Sequence, residues 1–317
     1  MRVLITGAGG FVGRHLIPEL LAHGDDVVTF DAQPAPRPHG AVRHFAGDIR
    51  DPVALRRAID DSRPDACVHL AALSFVPAGW TDPALMFEVN AIGAVNLLEA
   101  FRRSESPVRI LVVSSAEVYG HAPRERPVRE DDPMSPANIY AVTKASADAA
   151  ALLLSKRHGL QAMVARPCNH IGPGQRGEFV VPSFARQFAE MARGGAKRVL
   201  RAGNLDSGRN FVDVRDVVRA YRLLLLKGRP GQAYNIGSGR ETLIREVFER
   251  LAAVSGVRPG VEPDPARFRP EDHHPTLDIG RIKADTGWAP ELSLDQTLRD
   301  VFEEAAANIN PDVAFEK

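Results

Sequence analysis

The sequence predicts a doubly wound α/β fold: a parallel sheet of the Rossmann type with helices on both faces, capped by a smaller C-terminal lid. Three observations predict it. Short apolar, β-branched runs alternate with longer helical patterns through the first half of the 317 residues. Those runs are almost continuously apolar, as strands buried on both faces must be. A glycine-rich turn, TGAGGFVG (6–13), separates the first run from the first helix. Strand, helix and strand repeated in this way give right-handed crossovers and a parallel sheet.

Strands are expected at RVLIT (2–6), DVVTFD (26–31), VRHFA (42–46), ACVHLA (66–71), RILVVSS (109–115) and QAMVARP (161–167). Helices lie between them, notably GRHLIPELLAHG (13–24) and VNAIGAVNLLEAFRRS (89–104). After residue 168 the rhythm breaks at NHIGPGQRGE, followed by a helix near 182–193. QAYNIGSG (232–239) reads as one further strand with a turn. Amphipathic helices near 241–255 and 293–308 flank the proline-rich VRPGVEPDPARFRP. The expected division is 1–168 with 211–238 for a dinucleotide, and 169–210 with 239–317 for the substrate. NPDVAFEK reads as a loose tail.

Bulk composition narrows the function classes. Forty basic and forty acidic side chains cancel, so no overall field would hold nucleic acid or an anionic membrane. Cys67 and Cys168 are the only cysteines and have no metal-site or CxxC spacing, which suits a reducing compartment. No metal site is expected. No apolar run reads as long enough to span a membrane, and no signal-like segment precedes RVLIT. The expectation is a cytoplasmic protein.

In TGAGGFVG, Gly7, Gly10 and Gly13 allow a tight turn, close backbone approach and close helix–sheet packing. A pyrophosphate can rest on the free N–H groups of the helix that follows. Asp31, ending the second strand, is an acceptor for ribose hydroxyls and repels a 2′-phosphate, which favours NAD(H) over NADP(H). Arg37 offers an offset to that repulsion, so NADP(H) stays admissible. Asp48, in GDIRD, suits either the adenine end or the N-cap of the next helix. Tyr140 and Lys144 in YAVTK share one helix face. An ammonium beside a phenol stabilises the phenolate and brings it into acid–base range. Ser115, after the fifth strand, supplies a hydroxyl at the sheet edge where ligands of open α/β folds bind.

Together TGAGGFVG, HLAALSFV, SSAEVYG, YAVTK and RPCNHIGPG resemble the extended short-chain dehydrogenase/reductase family of nucleotide-sugar epimerases, dehydratases and reductases. The likeness runs from residue 1 to about 305, ending on TGWAPELSLDQTL (286–298). It implies a Ser115–Tyr140–Lys144 triad. It implies cofactor contacts from Gly7, Gly10, Phe11, Val12, Asp31, Asp48, Ile49, Leu70, Ala71 and Ala72, besides Tyr140 and Lys144. It implies a sugar-nucleotide site drawing on Ser74, Glu117, Asn169, Val181, Arg186, Arg209, Arg269 and Asp272, and a homodimer formed through helices of the first domain.

The branch is narrowed by single positions. The family's 4,6-dehydratases hold an acid and a base at the two places after the triad hydroxyl; here they are Ala116 and Glu117. A methyl group delivers no proton, so dehydration is disfavoured, and Glu117 stands as a base, a sugar ligand or a loop carboxylate. RPCNHIGPGQ and GNLDSGRNFVDVRD resemble the GDP-6-deoxy-sugar branch, particularly GDP-4-keto-6-deoxy-D-mannose reductases. Arg209 and Arg269 suit a bidentate grip on a diphosphate. Cys168 replaces a bulkier aromatic, His170 reads as a packed loop residue, and Trp80 either lines the sugar site or packs its loop. The expected reaction is NAD(P)H-dependent reduction of GDP-4-keto-6-deoxy-D-mannose to GDP-D-rhamnose. The alternative is an NAD-dependent nucleotide-sugar 4-epimerase, and no residue separates the two. A GDP-mannose 4,6-dehydratase ranks below both. So does a non-catalytic dinucleotide-binding protein, which has no need of the full triad.

Overall fold

The computed structural model describes residues 1–33, 42–104, 107–120, 126–194, 198–265 and 275–309. The first half runs β1 (Arg2–Thr6), α1 (Phe11–Ala22), β2 (Asp26–Asp31), β3 (Arg43–Ala46), α2 (Pro52–Ser62) and β4 (Ala66–His69). Next come α3 (Ala78–Thr81), α4 (Pro83–Phe87), a π-helical turn (Glu88–Ile92), α5 (Gly93–Arg102) and β5 (Arg109–Val113). A 3₁₀ turn (Ala116–Tyr119), α6 (Ile139–His158) and β6 (Ala162–Pro167) complete it. The second half holds β7 (Asn169–Ile171), α7 (Val180–Ala192), β8 (Val199–Ala202), β9 (Gly208–Arg209), β10 (Phe211–Asp213), α8 (Val214–Lys227) and β11 (Ala233–Ile236). It ends with β12 (Thr242–Leu243), α9 (Ile244–Ser255), β13 (Gly260–Pro263), α10 (Gly280–Thr286) and α11 (Leu294–Asn308).

Seven strands form one parallel sheet in the order β11-β6-β5-β4-β1-β2-β3. The chain winds outward in one direction from β1 to β3 and in the other from β4 to β11. The carboxyl ends of β1 and β4 therefore flank the switch point, where such sheets bind ligands. β4, β6 and β11 are buried at every position, which is why their sequences show no polar alternation. One face is covered by α1 and α8 through Leu16, Ile17, Leu20, Val217 and Leu224. The other is covered by α2, α5 and α6 through Leu55, Ile59, Leu98, Phe101 and Ala151.

Capping residues set several helix ends. Asp51 caps α2 by accepting from the Val53 and Ala54 N–H groups, with Pro52 in the first turn. Asp48 is thus not the cap, correcting one of its two expected roles. Asn138 caps α6 by accepting from Ala141 N–H, and Gly159 ends it in the left-handed conformation.

Past β6 the chain leaves the main sheet. β7 pairs with β10, β9 with β12 and β8 with β13, each as a two-stranded ribbon. The return expected at 211–238 begins with β10 on β7, packs α8 on the face of the main sheet and adds its strand at β11. A third core gathers Phe184, Phe188, Leu200, Leu251 and Leu298 beneath α7, α9 and α11.

Strand limits moved inward where the expected runs held polar or loop residues: β4 stops at His69 and β5 at Val113. The expected 89–104 helix is broken by the π-helical turn. One expectation needs correction. The stretch Pro83–Arg102 is long and apolar enough to cross a membrane by composition, but half of it is buried, as befits a core helix of this fold.

Candidate active site

The turn after β1 is shaped by backbone contact. Gly7 has φ +71°, and a Cβ there would lie 2.5 Å from Ala71 N. A Cβ on Gly13 would lie 2.1 Å from Ala8 O, so α1 can start this close to β1 only with glycine. Gly10 is the N-cap of α1; no side chain caps the helix and its first turn carries no carboxylate. The N–H groups at Phe11 and Val12 thus face a site suited to an anion. Asp31 is tied to the same turn, its Oδ2 accepting from Gly9 N–H at 2.8 Å and its Oδ1 from Gln33 N–H at 2.9 Å. Cradle and ribose acceptor form one unit, which fits a dinucleotide.

Leu70 to Ala72 follow β4 and are half-buried, with Ala71 against Gly7. Ile49 is buried against Gly93 of α5. Asp48 accepts from the Arg50 side chain and backbone, and those hydrogen bonds hold its carboxyl below the usual range. Arg37 lies outside the described residues. Beneath the turn, His69 Nδ1 lies 2.7 Å from Thr6 Oγ1, and burial followed by the nearby Lys144 charge lowers its pKa to about 3. His69 is neutral at working pH.

The triad gathers at the carboxyl ends of β5 and β6. Ser115 begins the 3₁₀ turn, its hydroxyl accepting from Glu117 N–H. Burial raises the pKa of the Tyr140 phenol, the neighbouring Ser115 hydroxyl opposes that, and the Glu117 charge adds to burial. Tyr140 therefore titrates above its ordinary range and stays protonated. Lys144 is only 5% exposed, and burial lowers its pKa to about 8. Its Nζ donates to Val113 O at 2.6 Å and lies 6.0 Å from the Tyr140 ring centroid. The expected pairing, an ammonium drawing the phenol down, is thus overridden by burial here.

Ala116 is buried, and Glu117 accepts from Asn138 Nδ2 at 3.2 Å, joining the Ser115 turn to the cap of α6. Asn90 escaped the sequence reading. It lies in the π-helical turn, accepts from Leu73 N–H, and donates to Leu73 O and Thr143 Oγ1. It fixes the 70–74 loop against α6; an amide inside the apolar VNAIGAV was the available signal.

On the substrate side, Asn169 opens β7 half-buried. His170 stacks on Phe11 with centroids 6.0 Å apart and planes 3° apart, and its Nδ1 lies 3.1 Å from Cys168 O. Burial lowers its pKa, and it raises that of the buried Cys168. Val181, expected at the substrate site, is instead fully buried in the third core at the start of α7, where it packs the lid. Arg186 is on the exposed face of α7, ion-paired with Glu190 at 2.8 Å. Arg209 lies on β9 and donates to Gly208 O. Ser74 is exposed, and Trp80, two-thirds exposed, does not pack its loop as one of its two readings held. Arg269 and Asp272 lie outside the described residues. The structure thus unites Ser115, Glu117, Tyr140 and Lys144, and ties Asp31 at the end of β2 to the turn of Gly7 and Gly10.

Comparison with known proteins gives likenesses over the whole chain. The family model described as GDP-mannose 4,6 dehydratase matches residues 4–301. A GDP-6-deoxy-D-mannose reductase from Pseudomonas aeruginosa is 37% identical over 313 residues, covering 98% of this chain and 99% of the relative. The structure of RMD from Pseudomonas aeruginosa complexed with NADPH matches with TM-score 0.86 at 35% identity, covering 97% of this chain and 99% of that one. A Thermus thermophilus UDP-glucose 4-epimerase complex with NAD matches with TM-score 0.86 at 31% identity, covering 98% of this chain and 100% of that one.

Proposed function

This chain belongs to the GDP-mannose 4,6 dehydratase family, and we propose that within it the chain reduces the C4 ketone of GDP-4-keto-6-deoxy-D-mannose to GDP-D-rhamnose with NAD(P)H. The observation that carries the reading is the pairing of a protonated Tyr140 with a buried alanine at 116. The site holds a proton donor for a nascent alkoxide and lacks the acid an elimination requires at that position. Whole-chain similarity to a GDP-6-deoxy-D-mannose reductase supports it.

When bound, the reduced nicotinamide supplies a hydride to C4. Gly7, Gly10 and the first N–H groups of α1 would hold its pyrophosphate, and Asp31 a ribose hydroxyl. Ser115 orients the ketone oxygen, and Tyr140 gives it a proton as negative charge develops there. Lys144, mostly charged at neutral pH with its pKa near 8, stabilises the phenolate left behind. Glu117 and Asn169 would contact the sugar nucleotide, with Arg209 and Arg269 on the diphosphate. Residues 169–210 and 239–317 would form the substrate unit. A homodimer would bury Ile92, at the start of α5, and Leu153 of α6, which are 53% and 64% exposed. The cytoplasm is the compartment consistent with two reduced, buried cysteines.

A second reading, nucleotide-sugar 4-epimerase, is favoured by the full-length likeness to the Thermus thermophilus enzyme. One experiment separates them. Given the keto sugar and NADH or NADPH, a reductase oxidises the cofactor stoichiometrically and forms a GDP-6-deoxyhexose, while GDP-mannose alone yields no keto product. Interconversion of hydroxyl epimers without cofactor consumption would establish the epimerase instead.

A further inference from the structure

Away from the reacting groups, one guanidinium joins the two elements that carry them. Arg166 on β6 has a side chain 3% exposed, and Asp148 on α6 is fully buried. The arginine Nε donates to Asp148 Oδ2 at 2.8 Å and Nη2 to Oδ1 at 3.0 Å, a two-point fork. Nη1 donates to Tyr119 Oη and to Glu130 O, both at 2.8 Å. The Tyr119 hydroxyl donates to Asn235 Oδ1 at 2.7 Å, and the guanidinium carbon lies 5.3 Å from its ring centroid.

The sequence positions of these partners give the cluster its interest. Asp148 follows Lys144 by one helical turn and Tyr140 by two, on the same face of α6. Tyr119 closes the 3₁₀ turn that Ser115 opens and that contains Glu117. One buried cation therefore fixes the far end of both catalytic segments. Stability alone does not account for it, because burying an ion pair costs about what the attraction returns, and apolar replacements are often neutral. Among the described residues, none of its hydrogen bonds goes to Ser115, Tyr140 or Lys144.

We propose that Arg166, with Asp148 and Tyr119, is a positioning group for the triad: it sets the offset between the Ser115 turn and the Tyr140–Lys144 helix, and so where the Ser115 hydroxyl stands relative to the Tyr140 phenol. It acts through those two elements and touches neither substrate nor cofactor. Only the kinetic arm of its test rests on the reductase reading.

The test uses the full chain with four changes: Tyr119→Phe, Arg166→Lys, the apolar pair Arg166→Met with Asp148→Leu, and Tyr234→Phe as control. Tyr234 is a buried phenol bonded to Asp285 and Arg229, outside the cluster. In keto-sugar reduction, the first three should lose about 10- to 100-fold in kcat, the scale of a misplacement near 1 Å. KM and cofactor Kd should stay within about twofold of wild type. Arg166→Lys keeps the charge but not the fork, so it should not rescue.

The second arm needs no turnover. The chain has four tyrosines, so each ¹³Cζ resonance can be assigned by substitution. Tyr119→Phe should move the Tyr140 resonance toward its value in Ser115→Ala, and Tyr234→Phe should leave it in place. A wild-type protein inert toward the keto sugar would end the reductase reading and leave this arm decisive. Wild-type kcat and an unmoved Tyr140 resonance in Tyr119→Phe would overturn the proposal, as would kcat losses that only track the unfolded fraction.

Discussion

Replacing Lys144 by Met should stabilise the folded protein while slowing turnover. The ammonium is 5% exposed, and burial brings its pKa from the ordinary 10.5 to about 8. At roughly 1.4 kcal/mol for each pH step between those two values, keeping it charged costs the fold about 3 kcal/mol. The variant also gives up the hydrogen bond to Val113 O, which returns about 1 to 2 kcal/mol of that. A net gain of about 1 to 2 kcal/mol is expected at pH 7. The folded pKa is depressed, so the unfolded chain binds the extra proton between pH 8 and 10.5. Wild-type stability therefore carries the full penalty below pH 8 and is relieved of it as pH rises through that window. Urea unfolding of both proteins at pH 7 and pH 10 checks this, since other groups cancel in the difference. The Met variant should lead at pH 7, and its lead should shrink or reverse at pH 10. A variant less stable than wild type at pH 7, or a gap indifferent to pH, would refute the reasoning.

Two further outcomes follow from the site. Tyr140→Phe should retain cofactor binding and lose at least about 100-fold in turnover, the scale of general acid catalysis; near wild-type rates would remove Tyr140 from the chemistry. Wild type should bind NADH more tightly than NADPH, and Asp31→Ala should narrow that preference, measured by fluorescence titration. RMD from Pseudomonas aeruginosa was solved with NADPH, so the comparison is a sharp one. A wild-type preference for NADPH above tenfold, about 1.4 kcal/mol, would overturn the role given to Asp31.

The main sheet was legible because burial on both faces leaves an unbroken apolar signature: β1 and β2 have the limits their sequences suggest. Ser114 and Ser115 look like strand, but Ser115 turns out to cap the next turn through its own hydroxyl. Sequence spacing brought Tyr140 and Lys144 together. It carried no information on how burial would weigh against the ammonium, because that depends on what packs around them. Asn90 and Arg166 were illegible for a related reason. Each is one polar residue within an apolar run, and its meaning lies in partners 17 to 53 and 18 to 47 positions away. The short ribbons β7–β10 and β9–β12 are two or three residues long, too brief to show a period.

The wide turn at 88–92 has a bearing on which changes in length this chain can tolerate. Upstream, Met86 is buried; downstream, Leu97, Leu98 and Phe101 set the phase of α5 against α2. A regular helix advances about 100° per residue, so a single unbroken helix through 83–102 would hold both faces in one fixed phase. The π-helical turn absorbs one residue and lets the two phases differ, and Asn90 occupies that slack. Deleting one residue here would heal the helix locally and rotate Asn90 away from Leu73 and Thr143. A shortening neutral in a surface loop would here uncouple the 70–74 loop from the helix that carries Tyr140.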